Sequence, residues 1–182
     1  MYNFIIKQYI RYTGTKMEAK IFFGSTESTK EGLSYRHSPF DDKLVSKAPV
    51  CDAEDTVKAL KIAQSATQAA KASTLSQRCN WLLDVASKLK ENREDIARTM
   101  TDEVGKPLMF SRIEVDRAIE TVTLSAETMR TIHGETINTD AMASGKKTIP
   151  CFFGAHGCVV SAVTSFNYSL KLVCHKFEPS LL

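Results

Sequence analysis

Long apolar runs are missing from this 182-residue sequence. No run approaches the roughly 20 residues that a membrane-spanning helix needs, so a membrane partner is not expected. Cys-x-x-Cys spacing is also missing, although there are five cysteines, Cys51, Cys79, Cys151, Cys158 and Cys174. An odd number without an export signal points to reduced thiols in a cytoplasmic protein rather than a disulfide framework. The four histidines are scattered, which argues against a zinc site; no metal is expected. Charge of one sign is not in excess: 24 basic residues face 21 acidic ones. The surplus sits in residues 1–16, which hold Lys7, Arg11 and Lys16 and no acid. A neutral body without a basic face excludes nucleic acid as the expected partner.

What is present is a soluble-type composition, 43% hydrophobic and 25% charged. Residues 1–16 lack the apolar core and the cleavage site of a signal peptide. They read as an extension, poorly ordered, with Met17 as the natural start. Residues 20–50 mix short apolar runs with turns such as Ser38-Pro39-Phe40-Asp41-Asp42, and predict two or three short strands.

The period then becomes helical. Asp52 can cap a first helix, with Glu54 and Asp55 in its first turn and Ala59, Ala63, Ala66 and Ala70 on one face beside Leu60. A second helix starts near Ser76, with the stripe Cys79, Leu82, Leu83, Ala86 and Leu89. Asn92 caps a third, with Ile96, Ala97, Met100 and Val104 inward, and Gly105-Lys106-Pro107 ends it. A fourth runs from about Met109 to Ile132, with the stripe Val115, Ile119, Val122, Ala126 and Met129. These stripes are core and take no cofactor role. Residues 135–153 predict two strands joined by a loop around Ser144-Gly145. Last come the apolar run Cys158 to Val163, the polar turn Thr164-Ser165-Phe166-Asn167, and a helix marked by Leu170, Leu172, Val173 and Phe177. Strand, turn and helix open a nucleotide-binding sheet. One such unit cannot pair with itself, so a continuation beyond Leu182 is expected.

Three segments carry a resemblance to the aldehyde dehydrogenase superfamily. Asp102-Glu103-Val104-Gly105-Lys106-Pro107 resembles its acid-x-Gly-Lys-Pro signature, and Ser111 to Ile119 is similar to the helix that follows. Val163-Thr164-Ser165-Phe166-Asn167-Tyr168-Ser169-Leu170, with His175-Lys176, resembles its Ile-Thr-Pro-aromatic-Asn-aromatic-Pro-Leu segment and the next helix. The likeness covers roughly Ile21 to Leu182 and suggests the lactaldehyde or semialdehyde branch. It implies an α/β fold: the N-terminal part of the aldehyde dehydrogenase fold, with a helical layer, an oligomerisation hairpin and the first βα unit of a Rossmann-type domain. The implied division is 1–16 extension, 17–153 strands, helical layer and hairpin, and 154–182 the start of an NAD-binding domain.

In this family a cysteine thiolate attacks the aldehyde, preplaced donors stabilise the oxyanion, hydride passes to NAD or NADP, and a glutamate activates water. The resemblance makes Asn167 the amide donor and sets Val163, Thr164, Ser165 and Phe166 beside the cofactor. From spacing alone Asn167 reads as a turn residue capping the next helix. The family's nucleophile, base and ribose-holding lysine lie downstream, and none of the five cysteines here stands in the nucleophile's motif. Phe23 to Thr29 imitates the glycine-rich cofactor motif by coincidence, since Thr29 stands where that motif has glycine. The tail departs from the pattern. His156-Gly157-Cys158 stands for Pro-Val-Gly, Ser165 and Ser169 replace prolines, and Glu178 stands where a small apolar residue is expected. Relaxed constraint gives such a pattern. The expected function is the N-terminal fragment of an NAD(P)-dependent aldehyde dehydrogenase, inactive as this chain. The alternative is a non-catalytic truncated subunit or interaction module, pairing as a homo- or hetero-oligomer through 135–153. An unrelated helical binding protein fits the combined motifs poorly.

Overall fold

The computed structural model describes residues 17–139, 151–152 and 159–181. The expected extension 1–16 and the loop around Ser144-Gly145 lie outside them. The early region holds more strands than the sequence predicts: β1 (Met17–Glu18), β2 (Ile21–Phe23), β3 (Thr26–Ser28), β4 (Leu33–His37) and β5 (Leu44–Pro49). β2 and β3 form a hairpin with Phe23 opposite Thr26. Its two-residue turn begins at Gly24, whose φ of 65° lies in the region that favours glycine. The Phe23-to-Thr29 stretch is therefore a hairpin, not a phosphate-binding turn. β5 lies between β1 and β4, parallel to the first and antiparallel to the second.

α1 (Ala53–Ala72) starts where the sequence predicts. The Asp55 backbone N–H donates to Asp52 Oδ1 at 3.0 Å, and the Asp52 N–H donates to Asp55 Oδ2 at 3.0 Å. Lys30 pairs with both carboxylates at 2.5 Å and holds the Asp52 carboxyl down at about 2. The expected alanine stripe of α1 is not core along its length. Ala59 and Leu60 are exposed, Ala63 and Ala66 half-buried, and only Ala70 is buried. Among the described residues α1 meets β2, where Lys58 lies over the Phe23 ring.

α2 (Leu75–Glu91) begins one residue before the predicted start, because Thr74 and Gln77 form a second capping box. Asn92 corrects another expectation. Its side chain donates to the Lys88 carbonyl at 2.8 Å and so closes α2 rather than capping α3 (Arg93–Val104). Gly105 ends α3 with φ 72°, its N–H donating to the Thr101 carbonyl. A Cβ built there would lie 2.7 Å from Pro39 Cγ. Gly105→Ala is therefore expected to lose about 1–2 kcal/mol from the left-handed backbone, and more from the Pro39 contact. Urea unfolding measures this, and an unchanged midpoint would refute it.

α4 (Leu108–Met129) is the central helix. Its Val115, Val122, Ala126 and Met129 are buried as the stripe predicts, with Ala118 beside them. They meet Cys79, Leu82 and Ala86 of α2, and Ala97 and Met100 of α3. Two bidentate pairs tie α3 to α4, Arg112 to Glu94 and Arg93 to Asp116. Beyond it, β6 (Glu135–Thr136) pairs antiparallel with β7 (Cys151–Phe152), which fits the predicted hairpin.

The strand expected over Cys158 to Val163 is not formed. Cys158 lies outside the described residues, and 159–165 carry no regular structure, with Val160 and Val163 exposed. A buried parallel strand needs neighbours on both edges, and no described strand lies beside this one. α5 (Lys171–Phe177) does form. It packs on α4, with Cys174 and Leu181 joining the α2–α4 core.

Candidate functional site

The site grows from the end of α3. Gly105 turns the chain, Pro107 bars continuation, and Lys106 between them is set against the first turns of α4. Its ammonium reaches Glu114 Oε2 at 2.5 Å, donates to the Asn167 carbonyl at 2.8 Å, and stands 4.5 Å above the Tyr168 ring. Glu114 is buried, its side chain 2% exposed. Its second oxygen accepts from the backbone amides of Leu170 and Lys171 at 3.1 and 3.2 Å. Those amides open α5 and have no partner within the helix. A carboxylate from α4 thus does the capping that a side chain of the turn ordinarily does, and the lysine neutralises it.

The plain reading of Asn167 as the cap of α5 is therefore not met. The N-cap position is Leu170, and no side chain of the turn bonds there. Asn167 is exposed, and its Oδ1 accepts from Ser165 Oγ at 2.9 Å. With its oxygen so held, the side-chain NH2 is the remaining polar group, and no described residue accepts from it. Ser165, one of the two serines that replace family prolines, is the residue that orients it.

Val163 is 78% exposed, Ser165 is exposed and Thr164 is half-buried. Phe166 is half-exposed, and one face of its ring carries the Arg36 guanidinium at 4.6 Å. The four residues run together through one irregular stretch that ends at Asn167.

No described cysteine is placed as a nucleophile. Cys79 is buried and its thiol donates to the Ala126 carbonyl at 3.3 Å. Burial, then the nearby Glu178 carboxylate, push the Cys174 thiol up to about 12, so the thiolate is not formed at neutral pH. Cys51 and Cys151 are exposed. Among the described residues there is no cluster of histidine, cysteine and carboxylate side chains that could hold a metal. Nor is any helix long and apolar enough to cross a membrane.

Sequence reasoning passed over Lys106 and Glu114 as site residues, although both stand in the matching motifs. One signal was available. Ser111, Glu114, Val115, Ala118 and Val122 share the inward face of α4, and an acid on a buried face needs a partner.

The sequence pattern of the aldehyde dehydrogenase family matches residues 26–182. Lactaldehyde dehydrogenase of Methanococcus aeolicus is 34% identical over 144 residues, covering 79% of this chain and 30% of that protein. Among solved structures, aldehyde dehydrogenase 21 of Physcomitrella patens, in complex with the reaction product succinate, superposes with a TM-score of 0.83 at 29% identity. That match covers 92% of this chain and 35% of the other. Glyceraldehyde-3-phosphate dehydrogenase GapN of Methanocaldococcus jannaschii, complexed with NADP, gives 0.73 at 25% identity, covering 86% and 32%. The chain thus spans about a third of the length of these relatives, and the matched region includes both the Lys106–Glu114 pair and the Asn167 turn. It belongs to the aldehyde dehydrogenase family.

Proposed function

We propose that the turn at Asn167 supplies the oxyanion donor of an NAD(P)-dependent aldehyde dehydrogenase, and that these 182 residues are its N-terminal part, inactive alone. The observation that carries this is the division of labour in the turn. Glu114 satisfies the helix amides, Ser165 holds the asparagine oxygen, and no described residue accepts from the asparagine NH2, on an exposed residue. A neutral donor held in advance stabilises an oxyanion as it forms without adding a charge that would trap it. The attacking thiolate and the water-activating glutamate are then supplied from outside these residues.

The substrate is a small aldehyde of the lactaldehyde or semialdehyde kind. NAD or NADP supplies a hydride acceptor to the reaction. A dinucleotide needs a paired parallel sheet and a glycine-rich phosphate turn at its edge, and the described residues do not form these. We therefore assign Val163, Thr164, Ser165 and Phe166 one wall of a cofactor site, and expect the chain alone to bind neither dinucleotide. The division at 153–154 stands with this reading, as does subunit association through the 135–153 hairpin. So does a cytoplasmic protein without nucleic-acid or membrane partners.

The test is aldehyde-dependent NAD(P) reduction by the chain alone, and by the chain mixed with the separately expressed C-terminal two-thirds of the Methanococcus aeolicus enzyme. The chain alone should show no turnover. The mixture should turn over, and Asn167→Ala should lower its kcat by about 10²-fold or more. Turnover indifferent to Asn167 would sink the assignment, and association without turnover would favour the non-catalytic subunit.

A further inference from the structure

Two aromatic rings flank Asn167 in the sequence, and each carries a cation. The Lys106 ammonium stands 4.5 Å from the centre of the Tyr168 ring, and the Arg36 guanidinium 4.6 Å from the centre of the Phe166 ring. Both distances lie within the range of cation–π attraction. Lys106 comes from the end of α3 and Arg36 from β4. The turn between the two cations needs such support. Residues 159–165 carry no regular structure, no described strand lies beside them, and both rings are about half exposed. Side-chain contacts must therefore fix where the Asn167 amide points.

The local structure of β4 brings Arg36 to that ring. Its register with β5 slips at this residue: Arg36 pairs with Ser46 and His37 with Leu44, so Val45 is an extra residue on β5. A bulge of this kind bends the ribbon and re-aims side chains. Cross-strand partners share a face of the sheet. Ser46 is buried, and its hydroxyl donates to Glu103 Oε1, in the last turn of α3, at 2.5 Å. Arg36 therefore leaves the sheet on the side of α3. Pro39, just past β4, lies against Gly105. The ribbon is thus anchored to the same helix end that supplies Lys106, and the two cations start from one support.

We infer that Arg36 is a positioning residue for Asn167. It holds Phe166 on one side of the asparagine while Lys106 holds Tyr168 and the Asn167 carbonyl on the other, and Ser165 sets the amide oxygen. Arg36 acts through the Phe166 ring and not on the reacting atoms. Its planar guanidinium suits a ring face better than the compact, strongly hydrated ammonium of a lysine does. The inference rests on Asn167 being the oxyanion donor, because without that reading the clamp orders a turn that serves no reaction.

The first arm of the test is NMR on the isotope-labelled 182-residue chain. Three-bond couplings from the Asn167 backbone nitrogen and carbonyl carbon to its Cγ give the populations of the side-chain rotamers. The parent should show one dominant rotamer. An exposed cation–π contact changes a population ratio by about two- to fivefold, and Arg36→Gln should raise the minor rotamers by that factor. Phe166→Leu should do the same, and the double variant no more than either alone. Arg36→Lys should recover part of the order. Lys58→Gln, which removes the same kind of contact from the Phe23 ring, should change nothing at Asn167. An Asn167 already averaged in the parent, or one indifferent to Arg36→Gln, overturns the inference. The second arm is kinetic and uses the chain mixed with the C-terminal two-thirds of the Methanococcus aeolicus enzyme. Arg36→Gln should lower kcat by about two- to fivefold and leave KM unchanged. An unchanged kcat in a mixture that depends on Asn167 also overturns the inference. Turnover indifferent to Asn167→Ala, with rotamers that still answer to Arg36, rejects the donor reading and leaves the clamp standing. In a mixture without turnover the rotamers alone decide.

Discussion

Glu178→Met is expected to stabilise the chain by about 2–4 kcal/mol at neutral pH. Glu178 is fully buried just past α5, against α4 and Cys174. Ser125 Oγ donates to its Oε2 at 3.0 Å, while Oε1 has no hydrogen-bond partner among the described residues. No described cation pairs with it. A buried carboxylate that is only half satisfied keeps most of its desolvation cost. Methionine fills similar volume without that cost. Ser125 loses an acceptor, worth about 1 kcal/mol, and recovers part of it from the Thr121 carbonyl one turn back.

The pH dependence gives the same prediction a second, independent sign. Burial raises the Glu178 carboxyl above its usual 4.5, against the smaller opposing pull of Ser125 and Cys174. The folded state therefore holds a proton that the unfolded state has released, over the window between 4.5 and the raised value. Stability then falls as pH rises through that window and stays low above it. This is the reverse of Asp52 and Glu94, whose carboxyls lie at about 2 and whose contribution fades only as pH drops below the usual carboxylate range. The advantage of the methionine variant should thus shrink as pH is lowered toward 4.5. Urea midpoints at pH 7 and pH 5 measure it. A variant less stable than the parent at both would contradict it.

The parts of the fold legible in the sequence are those fixed by local chemistry. Asp52 and Asp55 are three residues apart, so a capping box is written in the chain. Gly105 followed by Lys106-Pro107 can only end a helix. The α4 stripe follows from spacing, and it packs against α2 and α3. The misses have a common physical cause, which is partners distant in sequence. The α1 alanines look like a core face, but nothing among the described residues covers their N-terminal half. Residues 159–163 have the composition of a buried strand, yet a strand is a property of its neighbours. Asn92 has cap chemistry, but its side chain chose the helix behind it. For the site, Asn167 was legible only through its family motif. The group that frees it, Glu114, is 56 and 57 residues away from the two amides it caps. Glu178 was conspicuous as an acid at an apolar position, and its burial follows from α5 packing on α4.

The pair that makes the Asn167 turn should also be the most damaging place to break it. Glu114→Ala is expected to cost about 3–5 kcal/mol, the range for removing one partner of a buried ion pair. Three groups lose their acceptor at once: the Lys106 ammonium, with a side chain only 17% exposed, and the Leu170 and Lys171 amides. Lys106 keeps the Asn167 carbonyl and the Tyr168 ring, neither of which carries a negative charge. Glu114→Gln should cost less, because an amide oxygen can still accept from the α5 amides, although its NH2 then confronts the lysine. Lys106→Met removes the confrontation, so the double variant should recover stability relative to Glu114→Gln alone. Amide exchange separates a local role from a global one. In Glu114→Gln the Lys171 amide should exchange faster than those of Val122 and Ala126 in the middle of α4, since the turn opens before the core does. Should Lys171 retain the protection of Val122 in that variant, Glu114 is only another core residue, and the turn that aims Asn167 is held by something else. A cost below about 1 kcal/mol for Glu114→Ala would reject the pair as the support of the turn altogether.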